Sequence, residues 1–339
     1  MTMMKRKLPA LVLCLALLGG CGPGFSQYPR ASSSAPAAVE AQTLTIDIPR
    51  DADAQTQEAL AQFAAAVLEL SGGAVTIETV PNSDPLSALV HGATHMALAD
   101  NQMLIEAEPA LSFLDWPFLF AGPEDYLTAV GAENGPIRGS RSLETALGGR
   151  VIGLWYGGGT VLLGRGAFYE EICFSNSSLG VLSGRQGSSF FTGIGEDLGA
   201  EAVHTGDPDH LLSLLEDRTV KYIEYPLEEL APEELPESVH YLENTGHRID
   251  GMWLILGTGA VDEDTARVLE AAAAAVPQPA LESRRAAQEA ILTQAEEAGI
   301  RVDTGDYSEL YRAARDYFQE HYRELGCPQR TWEYLEPLL

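Results

Sequence analysis

The sequence predicts a layered α/β protein, and three observations carry that expectation. Strand-type alternation and helix-type apolar spacing take turns from about Thr43 onward. Chain breakers such as Pro49, Gly72, Pro81 and Gly299 stand where each pattern stops. The stretch from residue 43 to residue 339 is long enough to bury two proper cores.

Taken in order, Thr43 to Ile48 alternates and stops at Pro49, as a strand should. Asp53 to Leu70 places Leu60, Phe63, Ala64 and Val67 on one helical face, and Gly72 supplies the stop. Ala74 to Val80 reads as a second strand closed by Pro81, Asp84 to His91 as a short helix, and Thr94 to Ala99 as a third strand. Val151 to Tyr156 is an apolar strand that opens into Gly157-Gly158-Gly159. Asp209 to Glu216 is helical, Thr219 to Tyr225 extended, and Met252 to Leu256 a buried strand. Asp262 caps an alanine-rich helix whose first turn carries Glu263 and Asp264. Pro277 and Pro279 are expected to interrupt it, with Leu281 to Ala298 resuming up to Gly299; Tyr307 to Tyr322 is the last clear helix. Strand–helix–strand repetition favours parallel sheets, and no internal repeat is present.

The amino terminus has a separate character. Lys5, Arg6 and Lys7 precede the short apolar run Leu8 to Leu18, and Leu18-Gly19-Gly20-Cys21 follows. This is similar to a bacterial lipoprotein signal, in which the cysteine is acylated and becomes the new amino terminus. The apolar run falls short of the roughly 20 residues that span a bilayer. Residues 1–20 are thus expected to be a signal peptide. The other readings are an uncleaved anchor, or an ordinary cysteine after an ordinary signal. Residues 21–42, rich in Gly, Pro, Ser and Ala, read as a lipidated flexible linker, because such composition buries too little apolar surface to fold. The protein is expected outside the cytoplasm, at the bacterial cell surface or in the periplasm, held to the membrane by lipid at Cys21.

The chain carries 49 acidic and 21 basic residues. Loss of Lys5, Arg6 and Lys7 leaves 18 basic residues, a formal charge of −31, with Lys221 as the single lysine. So acidic a body argues against nucleic acid and anionic lipid as partners. It leaves room for an anionic ligand, since distant charges are screened beyond about 8 Å and one local arginine can capture a carboxylate. Cys173 and Cys327 remain in the body, either bridged or as two free thiols.

Motifs for hydrolytic, redox or nucleotide chemistry are missing: no G-x-S-x-G, H-E-x-x-H, C-x-x-C or P-loop occurs. His91 and His95 are four apart, but Gly92 breaks the helix between them and no acid joins them, so no metal site and no cofactor is expected. Gly157 to Gly159 reads either as a backbone anion cradle or as a tight strand-end turn or hinge. The four tryptophans, Trp116, Trp155, Trp253 and Trp332, read by default as core. Glu228-Glu229 and Glu233-Glu234 read as a solvated face.

Several stretches, in order, resemble the DctP-type solute-binding proteins of TRAP (tripartite ATP-independent periplasmic) transporters. Phe113-Leu114-Asp115-Trp116-Pro117-Phe118-Leu119-Phe120 is similar to that family's L-D-x-P-F-L-F. Phe63 to Val80, His91 to Met96, Leu198-Gly199-Ala200 and Leu214 to Glu224 lie over further family segments, so the resemblance spans about 43 to 322. Ser178 to Arg185 lies without a gap over a family motif whose last arginine forks onto the ligand carboxylate, which puts Arg185 in that place. A guanidinium presents two parallel donors that match a carboxylate, and a lysine does not. Gly184, Gly187, Ser188 and Ser189 surround it and could open a helix whose N–H groups favour an anion. Arg165 stands about where relatives often carry a second ligand-facing arginine, and Glu224 keeps an acidic position near the hinge. Departures are Ser178, Val181, Lys221, Tyr222 and Tyr225 in place of the family's Asp, Gly, Asp, Gly and Asn, and Pro208 near a closing aromatic.

The resemblance implies a non-enzymatic, two-lobe periplasmic-binding-protein-like α/β fold with a ligand cleft between lobes and long C-terminal helices. Residues 43–155 plus 251–290 would form lobe I, and 156–250 plus 291–339 lobe II with the C-terminal helices. The expected ligand-binding set is Arg185, Arg165, Glu224, Tyr225, Asn101, Ser188 and Trp155, around a small organic acid. Tyr222, Tyr225 and Trp155 point to a solute larger or more aromatic than a C4-dicarboxylate. The implied partner is a TRAP-type membrane permease; a sensor kinase or another transporter is the alternative, and a secreted hydrolase a distant one.

Overall fold

The structure is a computed structural model and describes residues 39–138, 140–166, 178–182, 201–205 and 208–339. Cys21, Cys173, Arg185 and Ser188 lie outside the described residues.

Strand β1 (Gln42–Pro49) runs parallel to β2 (Val75–Asn82) on one side and to β3 (Met96–Ala99) on the other. Between β1 and β2 the chain forms α1 (Ala54–Leu70), whose N-cap Asp53 accepts the Thr56 N–H at 2.7 Å. Helix α2 (Pro85–Val90) is capped in the same way by Asp84, and α3 (Asn101–Ala107) by Asp100. A 3₁₀ segment, Pro109–Asp115, and helices α4 (Pro123–Gly131) and α5 (Arg141–Leu147) lead to the first of two long strands, β4 (Gly149–Gly164). Strands β5 (Ser178–Leu182) and β6 (Glu201–Thr205) follow, then α6 (Pro208–Glu216), β7 (Tyr222–Pro226) and the second long strand, β8 (Tyr241–Gly257). Helices α7 (Glu263–Ala273) and α8 (Pro277–Glu297), the short β9 (Arg301–Asp303), α9 (Ser308–His321) and α10 (Gln329–Leu335) complete the chain.

Among the described residues the strands form one nine-stranded mixed sheet in the order β2-β1-β3-β8-β4-β7-β5-β6, with β9 added beside β8. The long strands join its two halves. At about 3.3 Å per residue each reaches about 50 Å. One half of the β4–β8 ladder (Gly149 to Tyr156 against Gly251 to Gly257) lies beside β3, and the other half lies beside β7. Register shifts between Val151 and Gly153, Tyr156 and Gly158, and Thr160 and Leu162 bend this pair.

Strand β3 is buried on both faces, as a strand inside a covered sheet must be. Met96 and Leu98 join a core with Leu44, Ile46, Phe63, Val67 and Leu269, under α1 and α7. Ala97 and Ala99 face the opposite core, with Leu104, Phe113, Trp116, Tyr126, Phe318 and Trp332. A third core, with Val161, Leu163, Leu211, Leu215, Ile223 and Leu242, fills the β7 half. The C-terminal helices touch both halves of the ladder's surroundings. Phe318 stacks on Trp116 at 4.4 Å, while Tyr307 donates to Glu243 at 3.0 Å and Tyr311 to the Thr245 carbonyl at 3.3 Å.

Three expectations are corrected here. Gly157 to Gly159 is neither a turn nor an anion cradle but the middle of β4, where the backbone bulges and Gly158 takes φ +138°. The alanine-rich helix does break before Pro277, but the second helix starts there and not at Leu281: Pro277 and Pro279 occupy the first turn of α8, where backbone N–H groups have no intrahelical partner to lose. Met252 to Leu256 is only the apolar end of a 17-residue strand.

Candidate functional site

Polar and ionisable burial concentrates where the middle of β4 and β8 meets β7, the 3₁₀ segment and α8. Glu224 on β7 is fully buried. One of its oxygens, Oε1, accepts from Arg248 Nε at 2.8 Å and faces His247 Nε2 at 2.9 Å. Arg248 in turn donates through Nη1 to the Asp115 carbonyl at 2.8 Å and pairs with Asp115 Oδ2 at 2.9 Å. Burial by itself pushes the Glu224 carboxyl up, but the Arg248 charge and the His247 and Arg248 hydrogen bonds outweigh it and hold the carboxyl at about 2. An ionised carboxylate only accepts, so His247 Nε2 carries a proton and, in the neutral ring, Nδ1 accepts from the Thr245 hydroxyl 2.5 Å away. Phe118 closes this side: its N–H donates to the His247 carbonyl at 2.6 Å and its ring lies 5.3 Å from the imidazole. That contact holds Phe118 at φ +57°, a conformation unfavourable for a bulky side chain.

A second cluster lies on the α8 side. Arg284 is 1% exposed and forks onto Asp53, with Nη1 to Oδ2 at 2.5 Å and Nη2 to Oδ1 at 3.0 Å, and also donates to Thr56 Oγ1 at 2.9 Å. The same guanidinium stands 3.9 Å from Glu228. Glu228 accepts from Gln288 Nε2 at 2.7 Å and from the Gly159 N–H at 3.2 Å; Gln288 Nε2 also reaches the Tyr156 hydroxyl at 2.8 Å. Burial pushes the Glu228 carboxyl up to about 7, against the opposing pull of Arg284. Glu228 therefore turns inward, contrary to the expected solvated face, while Glu229 beside it is exposed.

Of the expected ligand residues that are described, the structure brings Asn101 and Glu224 near each other and puts Trp155, Tyr225 and Arg165 elsewhere. Asn101, at the start of α3, donates to the carbonyls of Leu114 and Ile249, both at 3.0 Å. Its Oδ1 accepts from the Tyr126 hydroxyl at 2.7 Å, Trp253 Nε1 at 2.9 Å and the Gly251 N–H at 3.3 Å. Asn101 and Glu224 thus bond to neighbouring residues of β8, Ile249 and Arg248; Asn101 also reaches Leu114, and Arg248 reaches Asp115 beside it. Trp155 is fully buried in the core under α1, and Tyr225 is buried in the β7-side core. Burial pushes the Tyr225 hydroxyl up, with Glu229 and Asp209 adding to it. Arg165 follows the end of β4, ten residues and about 30 Å of strand beyond Trp155. It is half-buried, donates through Nη2 to the Val220 carbonyl at 3.2 Å, and its Nε has no hydrogen-bond partner among the described residues. Lys221 stands close by, its N–H bonded to the Ser178 carbonyl and its ammonium 5.1 Å from the Tyr222 ring.

Sequence reading missed Arg248, His247, Arg284, Asp53 as an ion-pair partner, and Gln288. The available signal was His247-Arg248-Ile249-Asp250, charge set immediately before an apolar strand. Among the described residues no group of three or more His, Cys, Asp or Glu side chains could hold a metal ion, and no helix is long and apolar enough to cross a membrane. Cys327 is buried, which pushes its thiol up to about 12.

Comparison with solved structures places this fold. A TRAP periplasmic solute-binding protein from Ochrobactrum anthropi, with its C-terminus in the ligand-binding pocket, matches at TM-score 0.75 and 20% identity, over 88% of this chain and 95% of its own. A TRAP periplasmic solute-binding protein from Rhodobacter sphaeroides, in an apo open state, matches at TM-score 0.76 and 16% identity, over 87% and 98%. The sugar acid binding protein from Advenella mimigardefordensis in complex with galactonate matches at TM-score 0.66 and 20% identity, over 88% and 98%. The chain thus has the periplasmic-binding-protein-like α/β fold of these proteins. No protein-family model matches the sequence, and neither does any curated protein.

Proposed function

We propose that this protein is an extracytoplasmic solute receptor of the TRAP type, which captures a small organic anion between two lobes and hands it to a membrane permease. The observation that carries the reading is the pair of long strands, β4 and β8, on which two half-sheets are hung within a fold shared with solute-binding proteins over nearly the whole chain. In this reading residues 43–155 plus 251–290 make one lobe, and 156–250 plus 291–339 the other, with the C-terminal helices packed across both. Acylation of Cys21 and the linker to residue 42 tether the receptor to the membrane.

Binding, not covalent chemistry, is the role proposed. The carboxylate falls to Arg185, which follows β5 in the chain by three residues, with Ser188 beside it and Arg165 as the second cation. Solutes in open α/β sheets sit beyond the carboxyl ends of strands. Each charge-assisted hydrogen bond there contributes roughly 1.5 to 3 kcal/mol. The Asp115–Arg248–Glu224–His247 chain is the fixed seam about which the lobes turn. The acidic body keeps the receptor soluble and off anionic surfaces. The galactonate bound by the Advenella protein supports a polar organic acid as the class of solute.

Native mass spectrometry of protein purified without denaturation tests the reading. A bound acid of a few hundred daltons, lost on denaturation, is the expected result. A bare mass, together with no rise in melting temperature for any sugar acid or dicarboxylate offered, would overturn it.

A further inference from the structure

Thr160 lies in the long strand β4, and the fold makes no use of its hydroxyl. Val161 and Leu163, its neighbours along β4, point into the third core, opposite Tyr225 and Ile223 of β7. Strand alternation therefore turns Thr160 and Leu162 to the other face, which is the face of Glu224, the residue opposite Leu162. In the other ladder Thr160 stands opposite Arg248, whose Nε donates to Glu224 at 2.8 Å. Directly opposed residues share a face, and diagonal ones lie about 7 to 8 Å apart. Thr160 thus looks onto the Arg248–Glu224 pair. The residue is 1% exposed, yet its Oγ1 has no hydrogen-bond partner among the described residues.

A buried hydroxyl without a partner weakens a fold, and a valine of the same shape would not. Such a group is explained when a ligand completes its bonding. The position agrees. Thr160 stands opposite Pro226, the last residue of β7, and β5 runs parallel to β7. It is therefore at the carboxyl end of both strands, the end beyond which solutes sit in open α/β sheets and from which the chain leaves β5 for Arg185. The neighbouring charges narrow the ligand group. Glu224, an ionised carboxylate, repels a second carboxylate, and Arg248 repels an ammonium. A neutral hydroxyl suits both, because it accepts from one partner and donates to another.

We propose that Thr160 is a solute-binding residue, and that its hydroxyl takes a neutral hydroxyl of the captured acid. Arg185 holds the carboxylate, and Thr160 selects for a hydroxyl further along the same molecule. The protein then prefers a hydroxy acid to the deoxy acid of the same shape. A site that hydrogen-bonds a ligand hydroxyl disfavours the analogue without it, since the protein group is left buried and unpaired. This assignment rests on the receptor reading and names the solute class for it.

Titration calorimetry on the intact chain tests it with matched probes: galactonate against its 2-deoxy and 3-deoxy forms, and malate against succinate. Wild type should hold a hydroxy acid about tenfold tighter than its deoxy partner, Thr160→Val should bring the two within about twofold, and Thr160→Ser should keep the preference. No preference in wild type, or an undiminished one in Thr160→Val, overturns the proposal. Thermal melts without solute give a second reading. Thr160→Val should melt at or above the wild-type temperature, because the hydroxyl it removes has no partner in the fold. A lower melting temperature, or failure of that variant to fold, shows that the hydroxyl serves the fold, through an internal water for example, and also overturns the proposal. If no probe binds wild type, the receptor reading falls and takes this assignment with it. Probes that bind without regard to Thr160 overturn this assignment alone.

Discussion

Replacing Arg248 by methionine removes one cation from between two buried carboxylates while keeping most of the side-chain volume. Arg248 is 2% exposed and holds Glu224 and Asp115 on opposite sides. In the intact protein Glu224 is lowered from 4.5 to about 2, which at about 1.4 kcal/mol per pH unit corresponds to about 3 kcal/mol of stability at neutral pH. This contribution is present above pH 4.5 and fades as pH falls through 2. Removing one partner of a buried pair costs about 3 to 5 kcal/mol, because the other charge stays buried and unpaired. At about 2 to 4 °C per kcal/mol for a chain somewhat smaller than this one, Arg248→Met should lower the melting temperature by about 10 °C at pH 7. The pH dependence should also reverse. With Arg248 gone, burial dominates at Glu224 and its carboxyl titrates above 4.5, so the variant regains stability as pH is lowered from 7 to 5. Urea unfolding followed by tryptophan fluorescence at both pH values measures this. A variant within about 1 kcal/mol of wild type at pH 7, or one that weakens further at pH 5, would refute the reasoning.

Two further outcomes follow from the same geometry. Asn101→Ala strands the buried Tyr126 hydroxyl and Trp253 N–H, each costing about 1 to 3 kcal/mol when left unsatisfied, so chemical denaturation should show a loss of about 3 kcal/mol or more. Asp53→Ala removes an N-cap worth about 1 kcal/mol and also frees Arg284 to serve Glu228 alone; the Glu228 titration should then move below 7, read by NMR of labelled glutamate carboxyl carbons.

Local signals were legible where one face of an element meets one core. The Leu60, Phe63 and Val67 face of α1 and the cap at Asp262 stand as read, because spacing and capping depend only on neighbours in sequence. The long strands were read short for a physical reason. His247, Arg248 and Asp250 break the apolar pattern of β8, and what satisfies Arg248 is Asp115, 133 residues away, and Glu224, 24 residues away. Gly157 to Gly159 resembled a turn, yet their lack of side chains admits the Glu228 carboxyl and the bulge. Glu228 and Glu229 looked alike as an acidic pair, and the 3₁₀ turn sends one inward and the other to solvent. The family resemblance put Trp155 and Tyr225 in a pocket wall, whereas strand alternation buries each in a different core.

The central claim is that Arg185 grips the carboxylate of a captured organic acid. Titration calorimetry, with the acid recovered from natively purified protein, tests it on wild type and Arg185→Lys. The substitution keeps the charge and loses the fork, so affinity should fall about tenfold or more, about 1.4 kcal/mol per decade, with the melting temperature nearly unchanged. Equal affinity for the two proteins, or a lower melting temperature with affinity intact, would contradict the account.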